Sequence, residues 1–169
     1  GVSIVQSPDE LAEALPRCFH LESFGLLEAA IEGTEWTVGI FDDITLPLIQ
    51  IKSGRQFFDY QAKYTDETTQ YLFEFDIPSD VVTAIRQAAH QAYDALRLRG
   101  VARIDIMLDK FHRPWVLEAN SIPCLTTHSL IPKAAARIGI SLGELCEQMV
   151  LRSRQPVAQS YRDSRREIA

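Results

Sequence analysis

Period-two alternation in two neighbouring segments restricts the fold of this chain more than any other feature. Ile104, Ile106 and Leu108 alternate with Arg103, Asp105 and Met107, and Trp115-Val-Leu-Glu118-Ala-Asn120 follows a turn-like Asp109-Lys-Phe-His-Arg113-Pro. Successive side chains of a strand point to opposite faces, so Arg103, Asp105 and Met107 share one face of the first strand, and Glu118 and Asn120 share one face of the second. The spacing predicts a hairpin. Pairing its strands gathers two carboxylates, one amide and one guanidinium on a single sheet face. Such oxygen donors suit a hard cation such as Mg2+, shared with substrate phosphates. A solvated face, or an Arg–Asp pair that satisfies only itself, would carry the same local pattern. The hydroxyl-rich Ser121-Ile-Pro123-Cys-Leu-Thr126-Thr-His128-Ser129-Leu-Ile-Pro132 favours the first reading, because it runs into a helix whose N-terminus can hold an anion.

The 169 residues suffice for one domain, and 46% hydrophobic content suffices for a core. A formal charge of −6 argues against nucleic acid as the main partner. No apolar run approaches the about 20 residues of a membrane span, so no membrane partner is expected, and no signal peptide is visible. Cys18, Cys124 and Cys146 are odd in number and far apart. They form neither a disulfide framework nor a zinc motif, which points to a reducing, cytoplasmic setting. The four histidines lack metal-ligand spacing. The chain opens at Gly1 rather than methionine and is expected to be the later part of a longer domain.

Ser7-Pro8-Asp9-Glu10 predicts a helix start, with Leu11, Leu15, Cys18 and Phe19 on the apolar face of a helix over 8–19. Gly25–Ile31 is expected as a buried strand, followed by strands over 35–41 and 46–51 in an antiparallel meander. Residues 52–75 read as one long loop, and Phe57, Phe58, Tyr60 and Tyr64 make it a lid or binding loop. Ser79 is expected to cap a helix over 79–98, with Val82, Ile85, Ala89, Ala92, Tyr93 and Leu96 as its stripe. Two helices follow, over 129–138 and 141–152, the second opened by a Ser141–Glu144 capping box. Residues 155–169 read as a polar tail. The fold class is α+β, a mainly antiparallel sheet backed by helices on one face and presenting its acids on the other.

Taken together, Tyr60-Gln-Ala-Lys63-Tyr64, Gly100-Val-Ala-Arg103-Ile-Asp105, Leu117-Glu118-Ala-Asn120-Ser-Ile-Pro123 and Thr127-His-Ser129-Leu-Ile-Pro resemble the C-terminal part of D-alanine–D-alanine ligases, members of the ATP-grasp superfamily. The resemblance runs through residues 1–154 in order. It implies an enzyme that phosphorylates one D-alanine with ATP and lets the amine of a second attack the acyl phosphate, in peptidoglycan precursor synthesis. It implies two Mg2+ ions, or Mn2+ in their place, on Asp105, Glu118 and Asn120. Arg103 would steady the transferring phosphate or the tetrahedral oxyanion. Glu28, Ala29 and Ile31 would read the adenine, Glu35 the ribose, and Met107 and Leu117 would sandwich the base. Lys63 would reach the phosphates under a lid containing Phe57 and Tyr64, a tyrosine that goes with an amine acceptor. Ser129 and the backbone of Leu130 would hold the carboxylate of the second D-alanine. Ligases of this family are often dimers, which makes a homodimer the assembly to test.

One departure stands out. Cys124 occupies the place where such ligases usually have a glycine beside the oxyanion, and a side chain there crowds the substrate. The N-terminal substrate domain of such ligases has no counterpart before Gly1, so these residues by themselves are expected to be nearly inactive. Two other readings remain open: a ligase for a different carboxylate and amine, or a Mg-nucleotide-binding module without turnover.

Overall fold

A computed structural model describes residues 2–52 and 69–153. The aromatic loop with Phe57, Lys63 and Tyr64, and the tail over 155–169, lie outside the described residues. The chain divides into two compact units, Gly1–Ile31 and Glu32–Ala169.

The first unit holds helix α1, Pro8–Leu21. Ser7, in extended conformation, accepts the Glu10 N–H at 3.2 Å, and Pro8 opens the first turn. Glu10 in turn accepts the Gln6 N–H at 2.7 Å, so two end donors are satisfied reciprocally. The expected strand over 25–31 is not formed. Those residues have no regular structure, and Leu26 and Leu27 are exposed. An apolar run is not sufficient for a strand, which also needs a hydrogen-bonded neighbour.

The second unit is a six-stranded, wholly antiparallel sheet among the described residues, with strands β1 (Gly33–Phe41), β2 (Ile44–Thr45), β3 (Ile49–Lys52), β4 (Gln70–Leu72), β5 (Val101–Asp109) and β6 (Pro114–Asn120). Their order is β4-β3-β1-β5-β6, with β2 paired to β1. Of the predicted 46–51 strand only the later part forms, within β3, while the short β2 lies before it; Leu46–Leu48 between them carry Pro47, which has no N–H for a ladder. β4 falls within the stretch read as loop, because three residues are too few to display alternation. The turn at Asp42-Asp43 forms as expected: Asp42 takes φ +51° and its carboxylate accepts the Gly100 N–H at 2.6 Å.

Helix α2 (Ser79–Ala95) packs Val81, Ile85, Ala89 and Tyr93 onto Trp36, Val38, Ile40, Ile104 and Ile106. These sheet residues are the even positions of β1 and β5. Pro78, not Ser79, is the N-cap, and the helix ends before the predicted 98 because Arg97 turns to φ +53°. Helices α3 (Leu130–Arg137) and α4 (Leu142–Ser153) share a second core with Phe41, Ile49, Ile51 and Val101. Those are odd positions, so α3 and α4 cover the opposite face. The α+β class with its antiparallel sheet is as expected, while the helix layer is divided between the faces rather than confined to one. A Cβ on Gly39 would lie 2.6 Å from Ile131 Cδ1, so the glycine lets α3 seat directly on β1. Beyond that seat the odd face carries the acids.

Candidate functional site

The register of the three central strands assembles this surface. Thr37 of β1 lies opposite Asp105 of β5, and Asp105 lies opposite Glu118 of β6. One row away Gly39 faces Arg103, which faces Asn120; one row the other way Glu35 faces Met107, which faces Trp115. Between these rows β6 carries a bulge: Glu118 pairs with Asp105 and Val116 with Ile106, leaving Leu117 as the extra residue. The bulge changes the parity of β6, so Trp115 comes to share the face of Met107 and Glu118. Leu117, expected beside Met107, is half-exposed in the bulge.

Asp105 is 2% exposed, and four donors to it are seen among the described residues. Arg103 grips both oxygens, Nε to Oδ1 at 2.9 Å and Nη2 to Oδ2 at 2.7 Å. The Thr37 hydroxyl donates to Oδ1 at 2.6 Å, and Asn120 Nδ2 reaches Oδ2 at 3.3 Å. Glu118, on the exposed side, draws on the same donors: Asn120 Nδ2 lies 3.1 Å from its Oε1 and Arg103 Nη2 lies 3.8 Å away. Two carboxylate oxygens from adjacent strands therefore face one point, where positive and amide groups now neutralise them. Buried charge is tolerated only with such pairing.

The donor chemistry fits a hard divalent cation in a specific way. Among the described residues no three His, Cys, Asp or Glu side chains converge as a metal cage. Two carboxylates and an amide oxygen make a partial shell, and Mg2+ characteristically takes one or two carboxylates with the remainder from water and phosphate. Asn120 would serve as an oxygen ligand with its amide turned over.

The other expected residues are distributed as follows. Glu35 sits on the same face, partly buried, in the Met107 row. Glu28 and Ala29 are exposed and Ile31 is half-buried, all in the irregular end of the first unit. Ser129 is the N-cap of α3, its hydroxyl 2.8 Å from Thr126 Oγ1 and 3.1 Å from the Thr126 N–H; Leu130 begins the helix and is buried. Cys124 is exposed after the buried Pro123. Tyr64, Lys63 and Phe57 lie outside the described residues.

Two side chains were missed in sequence. Thr37 looks like an ordinary strand former, although its period-two relation to Glu35 places it on the acid face. Asp109 reads as a turn residue but is buried, accepting the N–H groups of Phe111 at 2.8 Å and Arg113 at 2.9 Å, Arg113 Nε at 2.7 Å and Trp115 Nε1 at 3.1 Å. Burial pushes its carboxyl up, but these hydrogen bonds to the charged form outweigh burial and hold it well below the usual carboxylate range.

Comparison with known proteins agrees with this architecture. The family model described as D-ala D-ala ligase C-terminus matches residues 1–151. A D-alanine--D-alanine ligase of Nitrosospira multiformis is 41% identical over 145 residues, 86% of this chain and 47% of that protein. The crystal structure of the Bacillus anthracis D-alanine--D-alanine ligase complexed with ATP superposes with a TM-score of 0.75 at 36% identity, over 91% of this chain and 51% of its own. The VanG D-Ala:D-Ser ligase of Enterococcus faecalis superposes with a TM-score of 0.72 at 26% identity, over 85% and 43%. The chain thus spans about half the length of the relatives it matches.

Proposed function

Since the chain belongs to the D-alanine–D-alanine ligase C-terminal family, matched over residues 1–151, we propose that it provides the nucleotide- and metal-facing part of an ATP-dependent ligase that joins two D-alanines through an acyl phosphate. Residues 1–154 form that part, and the setting is cytoplasmic peptidoglycan precursor synthesis. No described helix is long and apolar enough to cross a membrane. The observation that carries the reading is the shared focus of Asp105 and Glu118, set on the row next to the seat of α3.

Asp105, Glu118 and Asn120 would hold Mg2+, which when bound neutralises charge on the phosphates. Phosphoryl transfer depends mostly on positioning and electrostatic stabilisation, so the chain's own task is to fix charged groups in advance. Arg103 is a planar fork already clamped to Asp105, and its role is to steady phosphate or oxyanion charge. In the second unit Glu35 takes the ribose hydroxyls and Met107 and Leu117 line the base; for Glu28, Ala29 and Ile31 the family resemblance implies reading of the adenine edge. Phe57, Lys63 and Tyr64, outside the described residues, would meet the phosphates and keep water from them, as the family resemblance implies. Ser129 and the Leu130 N–H hold the acceptor carboxylate at the start of α3, where helix-end amides and dipole favour an anion. The 169 residues alone bind nucleotide with little or no turnover, because groups that act as a unit lose far more than the sum of their parts.

A second reading, a ligase for a different carboxylate and amine, draws support from Cys124, which is exposed and stands where such ligases usually have a glycine. Both are tested by placing this chain in the Nitrosospira multiformis ligase in place of its matching segment. ADP release that requires D-alanine and yields the dipeptide supports the first reading. ADP release only with another amino acid supports the second. A folded chimera that binds Mg-ATP but never turns over would leave a binding module and overturn both.

A further inference from the structure

Of the hydrogen bonds described at Asp105, the one from Thr37 is the shortest. Its hydroxyl lies 2.6 Å from Asp105 Oδ1 and 3.3 Å from the Ile104 carbonyl oxygen. A hydroxyl has one proton to donate, and the shorter, charge-assisted contact takes it. Both residues are sealed in the sheet, Thr37 at 1% and Asp105 at 2% exposure.

The contacts make the two carboxylate oxygens inequivalent. Oδ1 is held by Thr37 and by Arg103 Nε. Oδ2 shares Arg103 Nη2 and Asn120 Nδ2 with Glu118 Oε1, and so belongs to the focus of the site. We infer that Thr37 is a positioning residue that anchors Oδ1 and turns only Oδ2 toward Glu118 and Asn120, so that Asp105 acts as a one-oxygen ligand and the site favours a small divalent cation. This rests on the reading of Asp105 and Glu118 as metal-facing acids. A carboxylate free to turn can offer both oxygens, which suits Ca2+, with ligands at about 2.3–2.6 Å and six to eight of them, better than octahedral Mg2+ at about 2.0–2.1 Å. Partners that orient a ligating carboxylate contribute roughly 10- to 100-fold to metal affinity.

Valine keeps the shape of threonine without the hydroxyl, and serine keeps the hydroxyl. The test titrates Mn2+ into the 169-residue chain by electron paramagnetic resonance, with Mg2+ and Ca2+ as competitors, for the natural chain, Thr37→Val, Thr37→Ser and Asp105→Asn. Thr37→Val is expected to weaken Mn2+ binding about 10-fold and to move the Mg2+/Ca2+ preference toward Ca2+, while Thr37→Ser restores both. Thr37→Ala carries the same comparison where valine disturbs the sheet. A folded Thr37→Val chain with natural affinity and preference, alongside an Asp105→Asn chain that has lost Mn2+, overturns the inference and leaves the acid site standing. An Asp105→Asn chain that binds Mn2+ as the natural chain does overturns the acid site and the inference with it.

Discussion

Asp105 and Asp109 stand four residues apart on one face of β5, both buried, both paired with an arginine, yet they are built for different tasks. Asp109 is held by its own turn: two of its four described donors are backbone N–H groups, and the others come from the side chains of Arg113, just before β6, and Trp115, within it. At Asp105 the described donors are side chains, those of Thr37, Arg103 and Asn120, drawn from three strands, with a second carboxylate beside it. Backbone donors cannot leave without unfolding the turn. Side-chain donors can re-orient toward an incoming ligand. A buried acid tied to its local backbone is a structural fastening; one shared among side chains of several strands beside another acid is a candidate for chemistry.

The sharpest way to break this comparison is to remove each arginine. Arg103→Ala deletes two of the four named contacts of Asp105 and strands a buried charge, and is expected to cost about 3–5 kcal/mol of stability in urea unfolding. Arg113→Ala leaves Asp109 three of its four donors, because the Arg113 backbone N–H remains, and Arg113 is itself largely exposed. Its loss should be a small fraction of the first. Equal losses would contradict the distinction.

Acid titration separates the pair next. The folded-state carboxyl of Asp109 lies below its ordinary value of 3.8. Its contribution is therefore fully present above about pH 4 and is lost as pH falls through the folded value. Asp109→Asn should flatten the acid limb of the stability profile while leaving Mn2+ affinity unchanged. An equally steep limb would remove Asp109 from the account. At the opposite extreme, burial pushes Tyr93 up to about 12, with the Asp42 charge adding to the shift. Its contribution holds below about pH 10 and fades as pH rises through about 12, so Tyr93→Phe should flatten the alkaline limb alone. The smallest expected effect lies away from both acids: Ser141→Ala removes the cap on α4 and should cost about 1 kcal/mol with no change in nucleotide binding.

Much of this design can be read from alternation. The period-two pattern in 103–108 brings Arg103, Asp105, Glu118 and Asn120 to one face, and the Ser141–Glu144 box forms as spaced, with the Glu144 N–H on Ser141 Oγ at 3.2 Å. What escaped reading depends on partners distant in sequence. Gly25–Ile31 has the composition of a strand but no ladder, and β4 is a strand only because β3 lies alongside it. The bulge at Leu117 reverses the facing of Trp115, and no composition rule marks it. Thr37 sits 68 positions from Asp105 in sequence, so only the β1–β5 register identifies it as more than a strand former. Glu28, Ala29 and Ile31 show how far motif matching reaches. It implies roles for them, while Glu28 and Ala29 are exposed and Ile31 half-buried in an irregular stretch of the first unit.

The central claim is that Asp105 and Glu118 form a metal-dependent nucleotide site. The most direct test is calorimetry of ATP with the 169-residue chain, with and without Mg2+, against the Asp105→Ala/Glu118→Ala chain. The account predicts binding that requires Mg2+ and disappears in the double variant while the variant remains folded. Mg2+-dependent binding of equal strength in both chains would contradict it.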